Sequence, residues 1–475
     1  MILVLPFDSI FHSPKAAQGL LVPGEGATVT GNDALASLLR GKMGNAIVNG
    51  GRPGGKPKIR LSKRPGRITF YVSVPPLDRT HNVTRYPIAV VGPGYHGVLT
   101  STSTHLDGLV SIADVAPSVL ALREGKQPRI RLHSSADPLA ELRRLDRRLK
   151  RAHDSRVGAT IVLVGLISLL GLLALLSRWN VLGRAAFLVA PVCVVGAVIL
   201  SAGGLTRPSQ VVGALALITG AVALAGGVVL RPRLPVGAGL AAVFGFLFLV
   251  MWRRPEWNSL AALGPRPDGG GRFYGVTNQV ETLLLSPALV LGVLAGVRAL
   301  PAVALLIAAG IGASSVGADG GGLVVYLAGF LVLALRLTAT RPATMRALAG
   351  VAVAVAAAFA LVGIDAATGG SSHVTHAVGG GPGSLAGDLG HRLHLSGASI
   401  ASTWNAALLF GLGVVALVWL ALRKPRYAVL DALLVALAVS LLVNDTPTDV
   451  AGLGGLSALV LWAWLRSGEH LVSLD

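Results

Sequence analysis

VGATIVLVGLISLLGLLALLS, residues 157–177, runs for 21 residues without a charge. At 1.5 Å of rise per residue, a helix of that length crosses the roughly 30 Å hydrocarbon core of a bilayer. Ten further apolar runs follow, at 185–203, 209–230, 235–252, 279–297, 300–317, 320–337, 346–364, 402–422, 427–443 and 450–466. The expectation is a mainly α chain, with a polytopic helical membrane domain of about eleven spans over 157–475. The glycine-rich stretch 310–322 leaves room for broken or re-entrant spans there.

Composition agrees with this class. Of 475 residues, 53% are hydrophobic and 13% charged, which excludes a large soluble domain. The net charge of +19 would suggest nucleic acid in a soluble chain. Here the arginines sit in short loops beside apolar runs, where they face anionic lipid, so membrane lipid is the expected partner and nucleic acid is not. The single cysteine, Cys193, lies inside an apolar run and permits neither an intramolecular disulfide nor a cysteine metal site.

Residues 1–136 are the one large stretch outside the apolar runs. ILVLPF, ITFYVSV and PIAVVG are short β-rich runs bounded by Pro and Gly, and SIADVAPSVLAL has helical spacing. Strands alternating with helices predict a small α/β domain. Between residues 137 and 156, DPLAELRRLDRRLKRAHDSR repeats leucine at helical spacing with arginines opposite. This predicts a basic amphipathic juxtamembrane helix lying on lipid headgroups or on the preceding domain, with Asp146 and Lys150 paired at i,i+4.

Tyr86 to Leu122, YPIAVVGPGYHGVLTSTSTHLDGLVSIADVAPSVLAL, resembles the C-terminal part of alkaline phosphatase superfamily domains. In those domains a strand and a GPG turn lead to a TS-ST-GLV stretch and then a D-AP helix. The family's chemistry needs a Ser or Thr nucleophile and two metals held by Asp and His. Asp8 and His81 resemble two of its ligands, but the full set is not present, so the resemblance implies a truncated or degenerate domain.

Charge sets an expected orientation. Loops after odd-numbered spans carry Arg178, Arg184, Arg231, Arg233, Arg298, Arg336, Arg341, Arg423, Lys424 and Arg426, and no acid. Loops after even-numbered spans carry Glu256, Asp268, Asp319, Asp365, Asp388, Asp445 and Asp449. Basic short loops stay cytoplasmic, which places the even loops and the N-terminal domain outside. That domain shows no export signal, so the expectation is either a longer gene with an upstream signal or anchor span, or a short form with a cytoplasmic N-terminus and one span fewer or more than counted.

Four polar breaks fall on the predicted outer side. RFYGVTNQVE, residues 272–281, brings Arg272, Tyr274, Asn278 and Glu281 together beside a span. GADGGG, residues 317–322, sets Asp319 in a glycine cluster that suits either a tight hairpin or an anion nest. The third break, 371–397, carries His373, His376, His391 and His394, and the fourth carries Asn444, Asp445 and Asp449 around Pro447. An ionisable group at a membrane span is costly to bury and is a functional candidate by default. The alternative is an interfacial loop anchored by Arg and Tyr.

The order FYG-x-x-N, D-GG, histidine loop and ND resembles a family of bacterial polytopic membrane proteins that carry an N-terminal phosphatase-like domain. The layout is also similar to that of the ethanolamine phosphate transferases of glycolipid-anchor synthesis. These resemblances imply a bacterial plasma-membrane location and a lipid-linked or phosphorylated envelope substrate.

Two functional expectations follow. In one, the chain is the membrane part of an envelope phosphotransferase or hydrolase working at the outer leaflet. Glu281, Asp319 and Asp445 would act as base or hold a divalent metal, and Arg272, Tyr274, Asn278, His373 and Asn444 would bind substrate. In the other it is a transporter or lipid flippase whose broken spans line a substrate path.

Overall fold

The computed structural model describes residues 2–4, 16–26, 29–43, 53–62, 64–76, 84–177, 179–205, 207–230, 234–269, 272–338, 396–397, 400–401, 403–444 and 446–467. The chain divides into two units, Met1–Asp154 with Pro265–Tyr274, and Ser155–Gly264 with Gly275–Asp475. The division passes through RFYGVTNQVE: Arg272 to Tyr274 belong to the first unit and Gly275 onward to the second. It also differs from the predicted boundary at 136, because the start of a long helix and a distant ten-residue insert both join the first unit.

The first unit is a seven-stranded sheet flanked by helices. Strands β1 (Ile2–Val4), β3 (Thr69–Val72), β4 (Tyr86–Val91), β2 (Ala16–Val22), β5 (Gly97–Ser101) and β7 (Ile130–His133) lie side by side in that order, with β6 (Leu109–Ser111) also pairing with β2. The sheet is mixed: β2 runs antiparallel to β4 and parallel to β5 and β6. β2, AAQGLLV, is buried along its whole length, as a central strand covered on both faces must be. Helix α1 (Gly31–Arg40) starts on a Thr30 cap, whose hydroxyl accepts from Asp33 N at 3.2 Å, and ends on left-handed Gly41. It packs with α2 (Val115–Arg123), and Leu38, Val115 and Ala116 join Phe70, Ile88, Leu99 and Val110 in one core.

Helix α3 (Pro138–Ser177) is one element of 40 residues rather than a juxtamembrane helix followed by a span. Leu142, Leu145 and Leu149 are buried, and the first two pack onto the sheet domain beside Gly108. The leucine face therefore covers protein, and the exposed face carries Arg143, Arg144, Arg147 and Lys150. Asp146 pairs with Arg85 at 2.6 Å rather than with Lys150, which instead meets Asp154 at 3.1 Å.

The second unit is a helical bundle: the rest of α3, α4 (Asn180–Ala202), α5 (Pro208–Val229), α6 (Leu234–Arg253), α7 (Pro255–Ser259), α8 (Asn278–Gly312), α9 (Gly320–Leu337), α10 (Trp404–Leu422), α11 (Ala428–Val443) and α12 (Pro447–Arg466). Eight of these are long and apolar enough to cross a membrane, and α11 is a shorter apolar helix of 16 residues. Leu172, Leu176, Leu217, Leu306 and Val415 are exposed, the pattern of a protein that meets lipid rather than water. Glycines set the close approaches. A Cβ on Gly413 of α10 would lie 2.2 Å from the Ala451 carbonyl oxygen of α12, so only a hydrogen fits. The chain is thus a multi-pass membrane protein.

Helix α8 doubles back on itself. A straight 35-residue helix would be about 52 Å long. Yet Val276, two residues before it, donates to the Gly317 carbonyl, five residues after it, at 2.8 Å. The helix breaks at Gly296 (φ 80°, ψ 165°) and the chain returns. The predicted spans at 279–297 and 300–317 are the two arms of this helical hairpin. The predicted span at 346–364 lies outside the described residues.

Candidate functional site

The hairpin of α8 brings two predicted acids to one end of the bundle. Glu281 sits in the first turn of α8, whose Thr277 cap accepts from Val280 N at 3.2 Å. Asp319 caps α9, its Oδ1 accepting from Gly322 N at 3.2 Å. Asn444 is the C-cap of α11. The three side chains come from elements far apart in sequence and are all buried, Glu281 at 0%, Asp319 at 2% and Asn444 at 2% exposure.

Asn444 links the parts. Its Nδ2 donates to Glu281 Oε2 at 2.9 Å and to Ser440 Oγ, one turn earlier on α11, at 2.8 Å. Its backbone carbonyl accepts from Ser396 Oγ at 3.2 Å. Its Oδ1 lies so near α9 that a Cβ on Gly321 would stand 2.5 Å from it and 3.6 Å from Asp319 Oδ1. The GGG run at 320–322 thus admits an amide and a carboxylate to the helix start, as the glycines suggested, but the occupants are the protein's own side chains. Tyr326, fully buried, donates its hydroxyl to the Glu281 carbonyl at 2.9 Å.

Gly275 fixes the height of this assembly. Its backbone is left-handed, φ +84°, and a Cβ there would lie 2.1 Å from the Gly317 carbonyl oxygen. Asn258, 5% exposed, holds it from the other side by donating to its carbonyl at 2.7 Å.

Arg272 and Tyr274 belong to the sheet unit, where Tyr274 stacks on His105 with ring centroids 4.0 Å apart. His105 has φ 52°, and burial lowers the pKa of its ring. The same insert is tied down by Asp268, which meets His153 Nδ1 at 2.8 Å, and by Gly269, whose carbonyl accepts from Gly26 N at 3.0 Å. Asn278 is the half-buried first residue of α8. Asp445 and His373 lie outside the described residues, as do Asp8, His81, His376, His391 and His394. Among the described residues, no three His, Cys, Asp or Glu side chains gather as a metal-binding group.

Within Tyr86 to Leu122, Asp114 is buried and accepts from the hydroxyls of both Ser101 and Ser103 at Oδ2. Arg129 lies 3.4 Å from its Oδ1. The carboxylate ties the TSTST loop to the start of α2, which is a structural task.

Sequence reading missed Asp431. It lies in the first turn of α11, inside an apolar run, and binds Arg336 of α9 at 3.0 Å and Arg426 at 2.8 Å. Asp431 and Asn444 are 13 residues apart on α11, about 20 Å at helical rise, so the two polar clusters mark opposite ends of one helix. Arg423, Lys424 and Arg426, just before α11, were the available signal. Asp431→Asn is expected to lower the midpoint of thermal unfolding in detergent by a few degrees, reflecting the loss of about 1–3 kcal/mol for a partly buried charged network.

No protein family, curated protein or solved structure matches this chain.

Proposed function

We propose that the chain is a carrier of the bacterial plasma membrane, moving a lipid-linked or phosphorylated envelope substrate between leaflets, with Glu281 exchanging a proton during the cycle. The observation behind this reading is the complete burial of Glu281 in a bundle of apolar helices, hydrogen-bonded to the Asn444 amide, whose oxygen lies against Gly321 as Asp319 Oδ1 does. Ionisable groups so placed are kept in membrane proteins chiefly for proton and ion pathways. A carboxyl with no access to solvent acts only if the bundle opens around it, and each change of solvation alters its hold on a proton. The hairpin break at Gly296 and the helix ends at Asp319 and Asn444 supply places for such movement.

This reading favours carriage over phosphotransfer, since a general base must reach substrate. In vesicles holding the purified chain and NBD-labelled phosphatidylglycerol, dithionite should bleach inner-leaflet label faster than in protein-free vesicles. A pH gradient should change that rate. Equal rates, with or without a gradient, would count against carriage.

The proposed orientation puts the Glu281 end outside and the Asp431 end inside, from the arginine bias of the loops. In a Cys193→Ser background, Gly203→Cys should react with an impermeant thiol reagent in intact cells, and Arg423→Cys only after lysis. The opposite pattern would invert the orientation.

A further inference from the structure

A second polar feature lies deeper in the bundle and uses neither acid. Helices α3, α4, α8 and α12 line a cavity of about 10 Å³, with Ile167, Phe187, Leu283, Ser286, Pro287 and Ser457 among its lining residues. Ser286 and Ser457 are 2% and 8% exposed, and neither hydroxyl has a hydrogen-bond partner among the described residues. Two prolines add to this. Pro191 inside α4 has no N–H to give the Phe187 carbonyl, and Pro287 inside α8 has none to give the Leu283 carbonyl. Both residues whose carbonyls lose their helical donors line the cavity.

Depth makes the arrangement unusual. Ser286 is eight residues into α8 and Ser457 ten into α12, about 12 and 15 Å from the helix starts. That is close to the middle of a hydrocarbon core roughly 30 Å thick. Freed backbone carbonyls at such depth need a partner. One water needs a cavity of at least about 10–15 Å³ and two to four polar partners; this cavity is at the lower end of that volume, and the two serine hydroxyls supply two partners.

We propose that this cavity is a binding site for a single water molecule. The water donates to the Phe187 and Leu283 carbonyls, accepts from the Ser286 and Ser457 hydroxyls, and bridges the two proline breaks. Thr282 carries the polar character one turn further along α8 toward Glu281; its hydroxyl is buried and also lacks a partner among the described residues. The inference rests on the packing of the bundle and is independent of whether Glu281 moves a proton.

Microsecond hydroxyl-radical footprinting of the full chain in detergent, in choline chloride, tests it. Radicals made from a bound water oxidise the side chains beside it. Phe187 and Leu283 should be oxidised well above Leu433, which is equally buried away from this cavity. The excess should fall at least tenfold in the Ser286→Ala, Ser457→Ala double variant, with the midpoint of thermal unfolding confirming that it folds. Wild-type oxidation no greater than at Leu433 would show a dry cavity and overturn the proposal without recourse to the variant. Oxidation that sodium chloride suppresses would identify a sodium ion as the occupant and overturn it equally.

Discussion

Gly275→Ala is expected to destabilise the membrane unit strongly, by about 2–5 kcal/mol, read as a large fall in the midpoint of thermal unfolding in detergent. Two costs combine. The backbone at Gly275 is left-handed, φ +84°, where an L side chain costs about 1–2 kcal/mol. The new Cβ would also stand 2.1 Å from the Gly317 carbonyl oxygen, which is backbone and cannot rotate away. Relief by shifting 275 would break the Asn258 and Val276 hydrogen bonds that set where α8 begins. Gly165→Ala is the matched control, since a Cβ there meets nothing within 4 Å. Alanine in that exposed helical position should be neutral, or stabilising by about 0.5–1 kcal/mol. Equal effects at the two sites would mean that the contact between 275 and 317 is not formed.

Glu281→Gln is expected to bring lipid movement in vesicles down to the protein-free rate while leaving the unfolding midpoint within a few degrees of wild type. Glutamine keeps the shape and an oxygen that can accept from Asn444 Nδ2, now 2.9 Å from the carboxylate, but it carries no exchangeable acid proton. Glu281→Ala should lose the fold as well. It leaves the Asn444 amide buried without that acceptor, costing about 1–3 kcal/mol, and opens a cavity among apolar helices. The split between the two variants separates a functional carboxyl from a structural one. If Gln destabilises as much as Ala, Glu281 is a packing element and the carrier reading fails.

Much of the architecture was legible because it follows from period and length alone. Residues 157–177 are long and apolar enough to cross a membrane, and the glycine cluster at 317–322 falls at the start of α9. The hairpin of α8 was anticipated as two runs, 279–297 and 300–317, because Arg298 falls between them where a charge is least costly. The leucine stripe of 137–156 marks a buried face and leaves two coverings open, lipid headgroups or the preceding domain, since periodicity shows that a face is buried and not what buries it; in the structure Leu142 and Leu145 pack on the sheet domain. The same limit explains Asp146, which found Arg85, 61 residues away, rather than the neighbour at i,i+4.

The site was legible by type and less so by partner. An acid at a span, a glycine cluster and an Asn at a proline break were each visible, and Glu281, Asp319 and Asn444 do meet. That Arg272 and Tyr274 belong to the other unit was not visible, because nothing local marks Gly275 as the point where the chain changes unit. Tyr326 and Asp431 were hidden inside apolar runs, where composition averages them away. Ser286 and Ser457 were hidden in the same way, and their meaning appears only when Pro287, and Phe187, whose carbonyl Pro191 leaves without a helical donor, are found lining the same cavity.

The most direct test of the central claim is infrared difference spectroscopy of the protein in lipid as the pH is stepped, comparing wild type with Glu281→Gln. If Glu281 exchanges a proton in the membrane, wild type should show a carboxylic C=O band that changes with pH, and that band should be missing from the Gln variant. A band that persists unchanged in Glu281→Gln, or no pH-sensitive carboxyl signal in wild type, would contradict the account.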